Sequence, residues 1–404
     1  MEPHTTNPVS GSFRGMGLAP ALLDVLDSAH FTTPTPIQER AIPHAVVGTD
    51  VIGVAQTGTG KTLAFGLPLV QRLLGNQSTG LILVPTRELA LQVAETLARF
   101  GKPLHLSGTV LIGGAAMGPQ VSDLRRKPRI IIATPGRLLD HMRQGTIRLD
   151  TVSMLVLDEA DRMLDMGFWP QVKEIMNALT SERQTMLFSA TLSREIVDLA
   201  RKYMKTPTSI EVAPPGTTAE KVTQEFFFVR KQEKPQLLEK VLEGSGSTIV
   251  FLRTKHTTKK IARLVRDMGY TAAEIHGNRT LGQRTQAIEG FRSGKIKVLV
   301  ATDIAARGID VKGVELVVNY DMPMKLEDYV HRIGRTARAG TEGKAISFVL
   351  PEERRVLNGV ERLIRKHVQI SKMPVLPPAR AVSQTTMDEP FRGRSQRRRP
   401  FRRR

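Results

Sequence analysis

Two groups of residues in this chain have the types and the spacing needed for phosphate chemistry. The first is residues 55–62, AQTGTGKT, in which Gly58 and Gly60 precede Lys61 and Thr62. The glycines let backbone amides turn towards phosphate oxygens, Lys61 can reach the β- and γ-phosphates, and the Thr62 hydroxyl suits magnesium. The residues predicted to bind the nucleotide here are Gln56, Thr57, Gly58, Thr59, Gly60, Lys61 and Thr62.

The second group is residues 154–161, MLVLDEAD, in which four apolar residues lead into three carboxylates. The apolar run is typical of a parallel strand buried on both faces, and its carboxyl end is where open α/β sheets bind ligands. Alone, the pattern would also fit a strand followed by a solvated turn. Because the phosphate loop lies upstream, we expect Asp158 to complete a magnesium site with Thr62 from the neighbouring strand.

The composition indicates an enzyme that meets a polyanion. The chain has 404 residues, of which 40% are hydrophobic, so it can bury two or three cores. The 59 Lys and Arg outnumber the 39 Asp and Glu by 20, and without the eight arginines after Phe391 the excess is still 12. Because the excess positive charge is not confined to the end of the chain, it indicates that the body of the protein also binds nucleic acid.

Several other classes are disfavoured by composition. Cysteine is absent and the nine histidines show no ligand spacing, which argues against disulfides and zinc. The first residues lack a basic region followed by an apolar core, and no apolar run approaches the roughly 18 residues of a membrane span. We therefore predict a cytoplasmic protein.

The order of apolar runs predicts an α/β fold made of two doubly wound parallel sheets. Strands are expected near residues 50–54, 81–84, 130–133, 154–157 and 185–191, and again at 248–252, 297–303, 315–320 and 344–350. Helical spacing covers residues 88–100, 258–268 and 283–291. The predicted divisions are a first domain at 1–212, a Pro/Gly/Thr-rich linker at 213–221, a second domain at 222–372 and a disordered Arg-rich tail at 373–404.

A series of further motifs makes the chain resemble a known family. They are Phe31 with PTPIQ (34–38), PTRELA (85–90), Gly113-Gly114, TPGR (134–137), SAT (189–191), IVFLRT (249–254), ATDIAARGID (301–310) and HRIGRTARAG (331–340). With the two phosphate motifs, they resemble the DEAD-box ATP-dependent RNA helicases of superfamily 2 over about residues 13–370, most closely the bacterial RhlE-type group. The resemblance implies two RecA-like domains joined by a flexible linker, with ATP and RNA bound across their cleft.

The resemblance also implies roles at the ATP. Gln38 would read adenine, Phe13 would stack on it, and Phe31 belongs to the same motif. Without the resemblance, a capping Gln and a core Phe would be the preferred interpretation. Glu159 would position the attacking water, and Asp310 would contact the ribose. Arg335 and Arg338, three residues apart, would be arginine fingers, which contribute about 10³ to 10⁵ in rate in related reactions.

For RNA, the matched positions suit phosphates and 2′-hydroxyls, so binding should tolerate any sequence. The first-domain candidates are Thr86, Arg87, Gly114, Thr134, Gly136 and Arg137, and the second-domain candidates are Arg253, Gly277, Arg284 and Thr302. Asp161, Ser189, Thr191 and His331 would couple hydrolysis to unwinding. Two positions depart from the family: Leu281 replaces a Gln, which puts that RNA contact in doubt, and Ala337 replaces a frequent Gly, which we expect to cost nothing.

The function that follows is ATP-dependent, local and non-processive unwinding of short RNA duplexes or remodelling of RNA–protein complexes, with ATP and Mg²⁺ as cofactors. The partners expected are RNA, single-stranded or in short duplexes, and proteins of ribosome assembly or RNA degradation, with the chain itself a monomer. Two alternatives remain. One is an ATP-gated RNA clamp or annealing chaperone, and the other is a DNA translocase, from which DEAD, SAT and PTPIQ point away.

Overall fold

The computed structural model describes residues 11–56, 58–212, 222–303, 313–337, 343–364 and 366–378. Within these residues the chain forms two parallel sheets, one on each side of the segment 213–221. The strands of the first sheet are β1 (Val51–Val54), β2 (Thr79–Leu83), β3 (Gly108–Leu111), β4 (Ile130–Ala133), β5 (Val152–Asp158), β6 (Gln184–Ser189) and β7 (Thr208–Glu211). They pair in the order β3-β4-β2-β5-β6-β1-β7.

Helices cover both faces of this sheet, because its central strands are apolar on both sides. Met154 and Val156 of β5 belong to one buried cluster, and Leu155 and Leu157 belong to the other. Because successive side chains of the strand enter different apolar clusters on its two faces, each face needs a covering layer of helices. The helices are α1 (Pro20–Ser28), α2 (Pro36–Val46), α3 (Lys61–Leu73), α4 (Arg87–Gly101), α5 (Met117–Arg125), α6 (Pro135–Arg143), α7 (Ala160–Asp165), α8 (Trp169–Ala178) and α9 (Arg194–Tyr203).

The second sheet repeats this architecture. Its strands are β8 (Val222–Phe228), β9 (Thr248–Leu252), β10 (Ala272–Ile275), β11 (Val298–Thr302), β12 (Leu316–Asn319) and β13 (Gly343–Val349), in the order β10-β11-β9-β12-β13-β8. Its helices are α10 (Lys234–Leu242), α11 (Lys255–Asp267), α12 (Leu281–Arg292), α13 (Leu326–Ile333) and α14 (Arg354–Ile364). Short 3₁₀ turns lie at Lys102–Leu104 and Pro351–Glu353. The predicted fold class, two doubly wound parallel sheets, is confirmed.

One expectation about the sheet was wrong. Asp158 ends β5 and the phosphate loop follows β1, but β6 pairs with both of these strands and lies between them. The two strands are therefore not neighbours. The order of strands along a chain does not reveal which pairs a crossover connection will form, so sequence spacing could not show the intervening strand.

The described chain continues past the predicted domain boundary at residue 372. After α14 it runs along β8, where the Ser371 N–H donates to the Phe226 carbonyl at 2.9 Å. Leu376 packs against the second core, and the Gln236 amide donates to the Pro377 carbonyl at 2.6 Å. These contacts hold residues 373–378 on the second domain. The predicted linker 213–221 and residues 379–404 of the predicted tail lie outside the described residues. Among the described residues, no helix has the length and apolar character to cross a membrane.

Candidate nucleotide and nucleic-acid site

The phosphate loop joins β1 to α3 in the predicted order of strand, glycine turn and helix. Gly58 and Gly60 have φ of 88° and 89°, in the left-handed region that favours glycine. Gly60 caps α3, and a Cβ at this position would overlap the side chains of Gln38 and Thr35. Both glycines are therefore required by the local backbone. Thr57 lies outside the described residues.

Gln38, in α2, forms hydrogen bonds that connect the start of this helix to the phosphate loop. Its Oε1 accepts from the Thr35 N–H at 2.9 Å, and its Nε2 donates to the Gly60 carbonyl at 3.0 Å. The side chain is buried, and one amide hydrogen remains for another acceptor. Phe13 is 3% exposed within the first core, and the Phe31 ring packs on Phe100 with centroids 5.6 Å apart. These are capping and core contacts, so adenine binding by these three residues stays a prediction.

Lys61 and Asp158 place opposite charges at the loop. The Lys61 ammonium donates to the Ala55 carbonyl at 2.8 Å, and both side chains are buried. Burial, with help from the Glu159 charge, raises the pKa of Asp158 to about 7, and Lys61 opposes the rise. A buried carboxylate of this kind gains from a nearby cation, and the oxygen donors of Asp158 and Thr62 are those Mg²⁺ prefers. Among the described residues no three acidic, His or Cys side chains form a metal cluster.

Glu159 is the N-cap of α7 and has an unusual conformation. Its φ is 54°, a left-handed value uncommon for residues other than glycine. Its N–H donates to Asp158 Oδ1 at 3.0 Å, and its Oε2 accepts from Arg162 Nη1 at 2.8 Å. The carboxylate proposed to position water is thus held by a buried guanidinium from the next turn of the same segment.

Asp161 connects the carboxylate segment to the SAT motif. Its Oδ2 accepts from the Ala190 N–H at 3.1 Å, and its own N–H donates to Ser189 Oγ at 3.3 Å. Ser189 ends β6 and is fully buried. The predicted coupling residues Asp161 and Ser189 are therefore in direct contact, and two hydrogen bonds join the carboxylate segment to the SAT motif.

The second domain brings Arg335 and His331 against the first. One cavity between the domains is lined by Gln56, Ala190 and Thr191 on one side and by Val330, His331, Gly334 and Arg335 on the other. Arg335 follows α13 and donates from Nε to the His331 carbonyl at 3.2 Å. Arg338 and Asp310 lie outside the described residues. Ala337 has φ of 53°, so the expectation that Ala costs nothing here was wrong, since this conformation costs a residue with a Cβ about 1 kcal/mol.

The first-domain RNA candidates surround one loop, residues 112–116. Gly114 has φ of 77°, and a Cβ there would overlap the Arg87 guanidinium. Arg137 Nη1 donates to the Ala115 carbonyl at 3.0 Å. Thr86 and Thr134 are the N-caps of α4 and α6, and Gly136 has open space where a Cβ would stand. The structure therefore brings all six candidates to the carboxyl end of the first sheet.

The second-domain candidates have mixed surroundings. Gly277 is exposed, and Thr302 is half-buried at the end of β11. Arg253 Nη2 donates to Glu353 Oε1 at 2.9 Å. Arg284 lies 3.0 Å from Glu88 of the first domain, in an ion pair with both side chains largely buried. Burial lowers the pKa of Arg284, and Glu88 opposes this shift.

Leu281, in place of the family's Gln, packs against the first domain's hydrophobic core from across the cleft. A leucine offers no hydrogen bond to RNA, so the position has exchanged a polar group for an apolar contact between domains. Together with the Arg284–Glu88 pair and an ion pair of 2.5 Å between Lys325 and Asp165, it joins the two halves.

Sequence reasoning missed two buried arginines. Arg162 directly follows the four residues of the carboxylate motif, which was the available signal. Arg332 binds Asp303 through two hydrogen bonds of 2.6 and 2.7 Å and donates to the Asp321 carbonyl at 2.6 Å. It stands beside His331 in HRIGR and fixes the segment that presents Arg335. Both were overlooked because their neighbours carried the recognisable chemistry.

Comparison with known proteins agrees with this geometry. A family model described as "DEAD/DEAH box helicase" matches residues 35–199, and one described as "Helicase conserved C-terminal domain" matches residues 233–340. The chain is 42% identical to the ATP-dependent RNA helicase CshA of Listeria monocytogenes over 94% of this chain and 72% of that protein. It is 42% identical to the ATP-dependent RNA helicase DbpA of Bacillus subtilis over 90% of this chain and 76% of that protein. These names do not support the RhlE-type assignment.

Solved structures are similar over most of the chain. Saccharomyces cerevisiae Dbp5 bound to RNA and ADP BeF3 has a TM-score of 0.80 at 31% identity, covering 90% of this chain and 96% of that one. A DEAD box protein from Methanococcus jannaschii has a TM-score of 0.52 at 38% identity, covering 90% and 99%. The similarity in structure is thus higher for the RNA-bound protein although its sequence is less similar.

Proposed function

The chain belongs to the DEAD-box family of ATP-dependent RNA helicases, and we propose that it opens short RNA duplexes by closing its two domains around ATP and one RNA strand. Hydrolysis then lets the domains part and releases the strand. The observation that carries this proposal is the cavity shared by Gln56 and Thr191 of the first domain and His331 and Arg335 of the second. Groups from both halves surround one space, so hydrolysis should require closure.

The residues of the candidate site on both sides of the cleft would have separate roles in phosphoryl transfer. Lys61 would bind the β- and γ-phosphates, and Thr62 and Asp158 would hold Mg²⁺, which when bound neutralises phosphate charge. Glu159, kept in place by Arg162, would orient the attacking water. Arg335 would stabilise charge that develops on the transferred phosphoryl group, and we propose the same for Arg338. Catalysis then rests on positioning and electrostatics rather than on covalent chemistry.

Closure would reach the RNA through two connections. Asp161 contacts Ser189 and Ala190, and Ala190 and Thr191 line the shared cavity. Glu88 directly follows Arg87 and pairs with Arg284 across the cleft. When the domains close, the first-domain RNA loops and the second-domain residues would grip one strand together. A bent strand cannot stay paired, so a short duplex loses base pairs without translocation.

Several finer assignments remain proposals. RNA is the proposed partner, in single strands and short duplexes and without sequence preference; proteins of ribosome assembly or RNA degradation, a cytoplasmic location and a monomeric state are sequence-based predictions. The RhlE-type assignment stays a prediction that the CshA and DbpA relatives do not favour. The clamp alternative shares all the binding residues and differs only in whether a duplex opens.

The experiment that tests the proposal measures ATP hydrolysis with and without single-stranded RNA, and opening of a short duplex, in three proteins. These are the wild type, Glu159→Gln, and Glu182→Gln as a control at an exposed glutamate outside the site. We expect strong RNA stimulation and ATP-dependent unwinding in the wild type and the control, and a rate lower by about 10² to 10⁴ in Glu159→Gln, the range for loss of a general base. Stimulated hydrolysis without any unwinding would favour the clamp, and hydrolysis stimulated by DNA alone would overturn RNA as the partner.

A further inference from the structure

A line of three polar side chains, of which Gln120 and His141 are buried, lies beneath the glycine loop of the first domain. Gln120 of α5 accepts from the Ile112 N–H at 3.1 Å and donates to the Ile112 carbonyl at 3.2 Å and the Ala116 carbonyl at 3.1 Å. His141 of α6, completely buried, places Nε2 3.4 Å from Gln120 Oε1. Thr146 Oγ1 lies 2.8 Å from His141 Nδ1. Three side chains thus lead from the end of α6 to the loop 112–116.

The hydrogen bonds of Gln120 define which of its amide atoms faces His141. The Ile112 N–H requires an acceptor, so Gln120 must present Oε1 to it and its NH₂ group to the two carbonyls. His141 must then donate from Nε2 to Gln120 Oε1. On its other side, Nδ1 faces the Thr146 hydroxyl, which donates to the His141 carbonyl at 3.0 Å. The His141 carbonyl still receives the Thr146 N–H at 3.0 Å. Burial lowers the pKa of His141, and Arg137 adds to this shift.

The loop that this line supports is the one that carries Gly113 and Gly114. From the other side, Arg137 donates to the Ala115 carbonyl and the Arg87 guanidinium lies against Gly114. After Ile112, the loop consists of Gly and Ala, which offer little side-chain packing to define its shape. Backbone hydrogen bonds from buried side chains can supply that definition, because an unpaired buried amide or carbonyl is costly.

We propose that Gln120, oriented by His141, is a positioning residue for RNA binding, which holds the loop 112–116 in the conformation that presents Gly113 and Gly114 to the backbone of one RNA strand. The inference rests on the proposed function, since it assumes that this loop touches RNA. Neither residue needs to contact RNA or ATP. The pair acts by removing conformations of the loop that would have to be excluded on binding.

The test uses the full chain and measures RNA half-saturation of the ATPase, the maximal RNA-stimulated rate, and the rate without RNA. Gln120→Leu removes all three loop hydrogen bonds at similar volume, and His141→Phe removes the ring nitrogens. We expect the RNA half-saturation to rise about tenfold in Gln120→Leu, as expected for loss of one well-placed hydrogen-bonding group, and about threefold in His141→Phe. The maximal rate and the RNA-free rate should stay within about twofold, since the ATP residues are untouched.

Gln184→Leu is the matched control. Gln184 is equally buried and also donates to two backbone carbonyls, those of Ala45 and Thr49, but it stands at the start of β6, away from the loop. It should lower the melting temperature as Gln120→Leu does and leave the RNA half-saturation unchanged. The double variant Gln120→Leu/His141→Phe should resemble Gln120→Leu alone, because His141 acts through Gln120.

Unchanged RNA half-saturation in folded Gln120→Leu would overturn the proposal, as would a lower maximal rate with unchanged half-saturation. If Gln120→Leu does not fold, His141→Phe decides by the same criteria. Gly114→Ala separates this outcome from failure of the proposed RNA site. If Gly114→Ala weakens RNA binding and Gln120→Leu does not, the positioning role is wrong but the RNA site stands. If neither variant weakens RNA binding, the loop is not part of the RNA interface.

Discussion

Arg162 and Glu159 form an ion pair of 2.8 Å with side chains that are only 2% and 4% exposed. The pair lies within one turn of chain, yet it also reaches the second domain, because Arg162 lines a cavity with Asp303, Asp328 and Arg335. A buried charge held by one partner depends on that partner. The carboxylate proposed to orient water is therefore held by a residue that also faces the second domain.

The first prediction concerns this pair. Arg162→Met should lower the maximal ATPase rate by about 10²-fold, because a misplacement of about 1 Å in a reacting group costs that much. It should also reduce the free energy of unfolding by about 3–5 kcal/mol, because Glu159 keeps a buried charge without its partner. Steady-state kinetics and urea unfolding measure the two effects.

Glu159→Gln in the same background is the control. The double variant should recover much of the stability, since no buried charge is left unpaired, and it should stay inactive. A stability loss that the second substitution does not relieve would contradict the pairing as its cause.

The second prediction concerns the Glu88–Arg284 pair, which exists only while the domains are together. Glu88→Gln and Arg284→Gln should each raise the RNA half-saturation about tenfold, as expected for a charged contact of about 1.5 kcal/mol. The double variant should show much less than the product of the two effects, which a double-mutant cycle measures. Additive effects would mean that Arg284 serves RNA directly.

Lys325 is the comparison for this experiment. Its pair with Asp165 also joins the domains, but the Lys325 side chain is 53% exposed. Exposed pairs contribute about 0–1 kcal/mol, so Lys325→Ala should change the RNA half-saturation by less than about fivefold. An effect as large as that of Glu88→Gln would show that burial is not what distinguishes the two pairs.

The third prediction concerns Leu281. Leu281→Gln should loosen closure, since it removes the apolar packing against the first domain, and we expect a rise of about threefold in RNA half-saturation, consistent with losing part of a leucine's burial. Fluorescence energy transfer between labels on the two domains should show a smaller closed population with an ATP analogue and RNA. Tighter RNA binding instead would mean that the glutamine restores an RNA contact that outweighs packing.

The fourth prediction concerns the arginine-rich end of the chain. Deletion of residues 391–404 removes eight arginines and no acidic residue. RNA affinity should fall, and the slope of log affinity against log salt should become shallower by about 0.7 for each RNA phosphate that the arginines had neutralised. The ATPase rate without RNA should be unchanged. Binding titrations at several salt concentrations provide the measurement, and an identical slope would exclude the tail from RNA binding.

The sequence by itself determined the local parts of this site. The order of strand, glycine turn and helix at residues 50–74, and the apolar run that ends at Asp158, were readable because backbone conformation and burial pattern depend on residues close in the chain. The series of motifs predicted both the fold and the family. Even the positive φ of Gly58 and Gly60 follows from residue type at a tight turn.

Only the tertiary structure decided which distant groups meet. Glu88 and Arg284 are 196 positions apart, and nothing near either residue indicates the other as its partner. The same holds for the strand between β1 and β5, for the packing of Leu281, and for Gln120 beneath the glycine loop. Such contacts depend on how preformed layers dock, and docking is governed by the shape and charge of whole surfaces rather than by the spacing of a few residues.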